Sequence, residues 1–306
     1  MSKLIKIALG AAMAAFVAFP AWADDLSLCL DKQVEACTRL IESGQNDKNR
    51  LANFFIHRGI AHEAKGELDL AIADCSEAIR LDPHNAYAFF NRGNAHRANG
   101  EYSEAIADYT ESLRLDPTDA DLFLNRALAL QAVGALDQAI ADYSQVIRLD
   151  ARNANAFYNR GNAHKAKGEI DEAIADYSEA IRLNPTSADA LNNRGVAHKA
   201  KGELDQAIAD HSEAIRVNPL SANAFYNRAL VHEARGGHDQ AIADYSEVIR
   251  LNSTFALAFY NRGIAHEKKG DTAAALADFQ AYQRLVPDDP DAAAAIERVN
   301  KQKPRE

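Results

Sequence analysis

Residues 154–187 read ANAFYNRGNAHKAKGEIDEAIADYSEAIRLNPTS, and the fold can be worked out from this stretch. Residues 155–167 and 170–183 both carry apolar side chains at three- and four-residue intervals, which predicts two amphipathic helices, A and B. Gly168 stands between them, where a left-handed helix end favours glycine. Pro185 then ends helix B, because proline has no amide hydrogen and restricts the residue before it.

The same pattern returns every 34 residues, without insertions, between residues 52 and 289. Its mark is Asn-Arg-Gly or Asn-Arg-Ala in helix A, beginning at Asn91, Asn125, Asn159, Asn193, Asn227 and Asn261. Seven repeats result: 52–85, 86–119, 120–153, 154–187, 188–221, 222–255 and 256–289. A small residue in mid-helix A, such as Gly161, is expected to face a small residue of helix B, such as Ala173. The pattern predicts one all-α solenoid domain.

This pattern resembles the tetratricopeptide repeat family, whose repeat has aromatic, small and proline positions spread over 34 residues. In the second repeat the matching residues are Phe89, Gly93, Ala105, Tyr109 and Pro117. The resemblance covers about 240 residues. It implies a right-handed superhelix whose A helices line a concave groove. Two positions depart from the family: arginine replaces the usual leucine before the glycine, and histidine mostly replaces the second aromatic of helix A.

Residues 1–23 predict a cleavable signal peptide. An apolar run over 7–19 follows two lysines and is too short to span a bilayer. Small residues at Ala21 and Ala23 predict cleavage between Ala23 and Asp24. A retained membrane anchor is the alternative. We therefore expect a periplasmic or secreted protein that has no membrane insertion after cleavage.

Two flanking segments, 24–51 and 290–306, are expected to cap the repeats, because an uncovered terminal repeat exposes apolar surface. Within them, 31–41 resembles a lone helix B and 291–299 an alanine-rich helix. Removing the two lysines of the signal peptide changes the net charge from −10 to −12. That charge argues against nucleic acid and anionic lipid as partners.

The three cysteines follow the predicted cleavage point. Cys29 and Cys37 are close in sequence, lie outside the repeats and are the candidate disulfide, since export would allow pairing. Cys75 occupies a position that most repeats give to tyrosine, which favours burial. No Cys or His spacing resembles a zinc site. With no nucleophile motif or phosphate loop, the sequence predicts no metal, no cofactor and no enzymatic activity.

Seven arginines of helix A each have an aspartate sixteen residues later. A charge near a core is tolerated when it is paired and hydrogen-bonded, so we expect structural ion pairs within a repeat or across to a neighbour. Ligand contact is the alternative. The pairs of repeats two to four are Arg92 with Asp108, Arg126 with Asp142, and Arg160 with Asp176.

A row of histidines also follows the repeat: His62, His96, His164, His198, His232 and His266, with Leu130 in the gap. Metal binding is disfavoured because equivalent residues lie a whole repeat apart. Each replaces an aromatic residue, so we expect packing in the core, with a pH response as the alternative.

Three sets of helix-A residues are candidates for peptide binding. The asparagines named above offer a donor and an acceptor to a peptide backbone, and resemble the asparagine row in the repeat domain of O-linked N-acetylglucosamine transferases. A helix–helix hydrogen bond or a solvated side chain is the alternative for this row. The aromatic set is Tyr158, Tyr226 and Tyr260, for which a partner surface and packing between A helices are equally favoured.

The third set is basic: Arg97, Lys165 and Lys199. Acidic residues flank it at Glu63, Glu233 and Glu267. A bound segment would then be acidic at its centre. The carboxylate clamp of chaperone-binding family members is not expected, because its lysine positions hold Phe90, Leu124 and Tyr158.

These observations favour an exported protein–protein interaction scaffold that holds a peptide or extended protein segment in its groove, and we expect it to be a monomer. The alternative is a structural or self-assembling component of the cell envelope that uses the convex face or the ends of the solenoid.

Overall fold

The computed structural model describes residues 19–31, 33–44 and 47–302 of the 306-residue chain. The residues described are helical apart from the turns that join the helices, and they include no strand. The chain divides into two compact units, residues 1–151 and residues 152–306. Each unit is a stack of helices in which consecutive members pack against each other.

The first unit contains α1 (Phe19–Leu30), α2 (Val34–Glu42), α3 (Lys48–Ala64), α4 (Leu68–Leu81), α5 (Ala86–Ala98), α6 (Tyr102–Leu115), α7 (Ala120–Ala132) and α8 (Leu136–Leu149). From α3 to α16, odd-numbered helices are A helices and even-numbered ones are B helices. The repeat pattern begins within α3, at residue 52, so this unit holds the first three predicted repeats.

The second unit contains α9 (Ala154–Lys167), α10 (Ile170–Leu183), α11 (Ala188–Ala200), α12 (Leu204–Val217), α13 (Ala222–Ala234), α14 (His238–Leu251), α15 (Ala256–Lys268), α16 (Thr272–Leu285) and α17 (Pro290–Gln302). It holds the last four predicted repeats and a terminal helix. Ala292, Ala295 and Val299 of α17 are buried, and the last two pack with Phe279. The alanine-rich segment thus covers the end of α16.

The N-terminal segment differs from the lone helix expected over 31–41. It forms two helices, α1 and α2, and a disulfide joins Cys29 to Cys37 across them with their Cα atoms 4.7 Å apart. Both cysteines are fully buried and pack with Leu40 and Phe54. The described part of the predicted signal peptide, 19–23, belongs to α1, and the rest lies outside the described residues.

Helix α3 begins at Lys48, four residues before the first predicted repeat at 52. The side chain of Asp47 accepts a hydrogen bond from the Arg50 amide over 2.9 Å, which satisfies one of the free donors at a helix start. In the fourth repeat, α9 begins one residue before the predicted 155, and α10 has the predicted bounds. Among the described residues, none of the helices combines the length and apolar character that crossing a membrane requires.

The mid-helix glycines also make room for a helix-B ring, which the sequence analysis did not predict. A Cβ on Gly161 would lie 2.9 Å from Cε1 of Tyr177, and one on Gly93 would lie 2.8 Å from Cε1 of Tyr109. Both tyrosines are fully buried. Removing a Cβ from helix A therefore lets a large helix-B ring fill the space between the two helices, which offsets glycine's cost of about 1 kcal/mol in a helix.

Candidate functional site

The arginine row ties helix A to helix B within each repeat. Arg92 donates from Nε to Oδ2 of Asp108 over 2.8 Å and from Nη2 to Oδ1 over 2.7 Å. The partner is the aspartate that the sixteen-residue spacing indicated, and it is buried. The same two-point geometry joins Arg58–Asp74, Arg126–Asp142, Arg160–Asp176, Arg194–Asp210, Arg228–Asp244 and Arg262–Asp278.

These arginines also contact the preceding helix B. Nη1 of Arg92 donates to Ser76 over 3.1 Å, and Nη1 of Arg194 donates to Ser178 over 3.0 Å. The guanidinium of Arg92 lies over the Phe89 ring, with Cζ 5.7 Å from the ring centroid. Because these donors are used inside the fold, the arrangement favours a structural function for the row over ligand contact.

The histidines make hydrogen bonds as well as packing contacts. Nδ1 of His96 lies 2.6 Å from Oε2 of Glu101, which precedes helix α6, while Nε2 lies 3.9 Å from Oδ2 of Asp108. This hydrogen bond is the main cause of the lowered pKa of Glu101. The same contact recurs in His62–Glu67, His164–Glu169 and His198–Glu203. Our prediction of packing alone missed these glutamates, although each stands five residues after its histidine in the sequence.

The asparagines of the first unit bond to their own helices. Nδ2 of Asn91 donates to the Tyr87 carbonyl over 2.6 Å, and Nδ2 of Asn125 donates to the Asp121 carbonyl over 2.8 Å. Such bonds to the carbonyl four residues earlier are a local alternative open to an asparagine within a helix. Asn91 is buried, and Asn125 is partly exposed.

The asparagines of the second unit instead link successive repeats. Nδ2 of Asn193 donates to Tyr158 Oη over 3.1 Å and to Asn162 Oδ1 over 3.0 Å. Two further bonds have the same register: Asn227 to Asn192 Oδ1 at 3.0 Å, and Asn261 to Tyr226 Oη at 2.9 Å. Asn159 is partly exposed on α9. The donor groups thus hold helices together, and the asparagine oxygens of Asn193, Asn227 and Asn261 remain for other donors.

The tyrosines of the candidate site lie on top of the buried helix-B rings. Tyr158 and Tyr177 have ring centroids 6.0 Å apart, and both Tyr158 and its equivalents stay partly exposed. Tyr226 packs against Tyr245 with ring centroids 5.8 Å apart, and Tyr260 packs against Phe279 with centroids 5.6 Å apart. Each ring therefore packs against a buried ring of its own repeat and stays partly exposed.

Small depressions open beside these rings at the start of helix A, and the sequence had not indicated them. One of about 120 Å³ adjoins Tyr158 in the second unit, and one of about 160 Å³ adjoins Phe90 in the first. Asn184 and Ser187 line the former, as Asp116 and Asp119 line the latter. These residues occupy matching positions of the second and fourth repeats, and each depression is large enough for a small side chain.

The basic candidates differ in their surroundings. Arg97 is half-buried, and its Nε has no hydrogen-bond partner in the described chain. Lys165 and Lys199 are also half-buried, and loss of hydration lowers the pKa of both amines.

The acidic residues that flank the basic set have basic partners. Nζ of Lys268 lies 3.7 Å from Oε1 of Glu233, and Glu267 accepts two hydrogen bonds from Arg298.

The fifth repeat is polar at two positions where most repeats have aromatic residues. His211 replaces the helix-B tyrosine, is fully buried, and lies 3.1 Å through Nδ1 from Oδ1 of Asn192. Burial lowers the pKa of His211 to about 4. A Cβ on Gly195 would lie 2.7 Å from the imidazole Cε1. Asn192 takes the place that Tyr158 and Tyr226 hold in the adjacent repeats, so the ring row is interrupted here.

Comparison with known proteins identifies the repeat. A model described as TPR repeat matches residues 59–100, 93–134, 132–168 and 161–202. Models described as tetratricopeptide repeat match 188–219 and 226–290. No curated protein matches this sequence.

Solved structures agree with these matches. The crystal structure of MamA is 27% identical, with a TM-score of 0.51 over 53% of this chain and 94% of that chain. YrrB, whose structure is described as a TPR protein with an unusual peptide-binding site, is 26% identical, with a TM-score of 0.55 over 63% and 97%. A tetratricopeptide repeat protein of Parabacteroides merdae has a TM-score of 0.61 over 81% and 98%, at 21% identity. With repeat models covering most of residues 59–290, this chain belongs to the tetratricopeptide repeat family.

Proposed function

We propose that this protein is an exported, non-enzymatic scaffold that binds an extended segment of another protein along the faces of its A helices. The observation that carries the proposal is a partly exposed ring beside a small depression, which occurs at matching positions of the second and fourth repeats. Such a surface offers the same kind of contact to an extended ligand in either unit.

The asparagine row of the second unit supports backbone recognition. Its amide donors are committed to neighbouring repeats, but its carbonyl oxygens can accept hydrogen bonds from peptide N–H groups. The rings beside them are partly exposed and can pack on ligand side chains. Backbone contacts of this type tolerate many ligand sequences, while the rings and depressions add preference for certain side chains.

The geometry of packed helices sets the length of the ligand. Adjacent helices lie about 8–10 Å apart, and an extended chain rises about 3.3 Å per residue, so each repeat accommodates roughly three ligand residues. The four repeats of the second unit would then hold roughly twelve residues. The likeness to YrrB, whose described property is peptide binding, agrees with a ligand of this kind.

Export is supported by the sequence of residues 1–23 and by the disulfide between Cys29 and Cys37. Structural disulfides persist in oxidising compartments and are rare in the cytosol. N-terminal sequencing of the mature protein tests this part of the proposal. We expect Asp24 as the first residue, and an unprocessed N-terminus in the cytosolic fraction would contradict export.

A photo-crosslinking amino acid tests groove binding directly. It replaces Tyr158 in one variant and Glu172, an exposed residue of helix α10, in a matched control. After irradiation of intact cells, we expect protein adducts from position 158 that are missing from position 172. Identical adducts from both positions, or none from position 158, would contradict binding along the A helices. Adducts to a second copy of this chain would instead favour the self-assembling alternative.

A further inference from the structure

Two lysines in successive repeats of the second unit have no acidic partner. Lys165 and Lys199 occupy the same position of helices α9 and α11, and neither side chain makes a hydrogen bond or ion pair with any described residue. Both are half-buried. A positive charge that has lost part of its hydration without gaining a counter-ion is poised to gain free energy from an anion.

The same position in the next two repeats holds glutamates, and each of them lies near a basic side chain. Glu233 has Lys268, thirty-five residues later, at 3.7 Å. Glu267 accepts two hydrogen bonds from Arg298 at 2.7 and 2.8 Å. Thirty-five residues after Lys165 and Lys199, however, the sequence has alanine, at 200 and 234. At this position of the repeat, Glu233 and Glu267 therefore have basic partners in the chain, whereas Lys165 and Lys199 have no acidic partner among the described residues.

The lysines share a helix face with the rings of the candidate site. Tyr158, Asn162 and Lys165 follow the spacing of four and three residues that places side chains on one side of a helix. Asn192 and Lys199 are related in the same way on α11. A ligand that lies along the row of rings would thus pass the two amines in succession.

We propose that Lys165 and Lys199 recognise two acidic side chains of an extended peptide, which are spaced about three residues apart to match successive repeats. This inference rests on the proposed function and specifies its ligand. The acidic part of the peptide lies over α9 and α11. Its apolar part lies over α13 and α15, where Tyr226 and Tyr260 stand beside neutralised glutamates.

Two fluorescent peptides of about twelve residues test the proposal. The first has two glutamates three positions apart, followed by two leucines, with serine elsewhere; the second has glutamine in place of the glutamates. By fluorescence anisotropy at low salt, we expect the full-length mature protein to bind the glutamate peptide about tenfold more tightly, from two partly desolvated ion pairs. Salt should reduce this preference.

The double variant K165Q/K199Q should lose the preference and still bind the glutamine peptide like wild type. K201Q/K269Q is the matched control, since it removes two lysines that already pair with Asp171 and Asp239. It should keep the preference. Equal binding of both peptides by wild type, or a preference that survives in K165Q/K199Q, would overturn the lysine assignment alone. Failure of wild type to bind either peptide would overturn the proposed function and this inference with it.

Discussion

Asn125 of the first unit and Asn261 of the second occupy the same position of their repeats, yet they bond differently. Asn125 donates to the carbonyl of Asp121 in its own helix, and Asn261 donates to the hydroxyl of Tyr226 in the preceding repeat. The residue thirty-five positions earlier explains the difference. For Asn261 it is Tyr226, which has an oxygen, whereas for Asn125 it is Phe90, which has none.

The remaining asparagines with hydrogen bonds follow the same rule. Asn193 and Asn227 have Tyr158 and Asn192 thirty-five positions earlier, and both bond to those side chains. Asn91 has Ile56 there and bonds to its own helix. A repeated residue therefore does not have one function throughout a solenoid. The second unit uses its asparagines to join repeats, and the first unit relies on other contacts for that purpose.

The arginine–aspartate pairs are common to both units and should have the largest effect on stability. Arg194→Ala leaves Asp210, which is 6% exposed, without two charge-assisted hydrogen bonds. We expect the free energy of unfolding to fall by about 3 kcal/mol. Arg92→Ala should cost a similar amount in the first unit, as measured by urea denaturation. Arg80→Ala, which breaks an exposed pair on the helix surface, is the control and should cost less than about 1 kcal/mol. A clearly larger loss of stability for one of these two variants than for the other would contradict the prediction that the arginine–aspartate pairs are equivalent in the two units.

His211 should add to the pH dependence of the second unit. Burial lowers its pKa from 6.5 to about 4, so between these values the unfolded chain takes up a proton that the folded chain does not. The stabilisation that comes from keeping His211 neutral is fully present above pH 6.5. As the pH falls towards 4, the free energy of unfolding decreases by about 3 kcal/mol for this reason. His211→Phe, which copies Phe279 of the last repeat, should remove this part of the acid sensitivity. The test compares denaturation midpoints of the two proteins at pH 7 and pH 4.5, and an unchanged difference would contradict it.

The disulfide should act on the first unit alone. Replacing Cys29 and Cys37 together by alanine removes a constraint on a short loop, and we expect a loss of about 2–3 kcal/mol. Hydrogen exchange should show lower protection in α2 and unchanged protection in α15. A reductant should do the same to wild type, while it should leave the double variant unaffected. Equal loss of protection in both helices would show that the N-terminal pair stabilises more than its own neighbourhood.

The helices could be predicted from the sequence because their signals are local. The left-handed φ of Gly168, 81°, and the end of α10 before Pro185 follow from the geometry of single residues. Because the pattern recurs every 34 residues, a correct prediction for one repeat applies to the other six as well. Local reasoning failed at the N-terminus, where α1 and α2 pair through Cys29 and Cys37 outside the periodic pattern, so no second copy could guide the prediction.

The candidate site was less predictable, because its contacts depend on pairs of distant residues. The asparagine row is uniform in sequence, and its two bonding patterns emerge only when each asparagine is compared with the residue thirty-five positions earlier. The same holds for Lys165. The residue thirty-five positions after it is Ala200, which carries no charge, whereas the residue thirty-five positions after Glu233 is its partner Lys268. A repeat sequence is thus best analysed between adjacent copies as well as within one.

Changing single oxygens should convert one unit's pattern into the other's. Tyr226→Phe removes the acceptor of Asn261 but keeps the ring that stacks on Tyr245, so the link between repeats is lost at a cost of about 1 kcal/mol. Hydrogen exchange of the α15 amides measures this change. Phe90→Tyr makes the reverse change in the first unit, and we expect it to give Asn125 a partner and to raise the protection of α7.

Tyr260→Phe is the matched control for this last prediction. It removes a hydroxyl from the same position of the last repeat, but residue 295, thirty-five positions later, is alanine and has no donor to lose. Protection of the adjacent α17 should therefore stay as in wild type. If Tyr226→Phe and Tyr260→Phe had equal effects, the loss would come from the ring environment. The asparagine bond would then contribute nothing to the joining of repeats, and the contrast between the two units would have no energetic consequence.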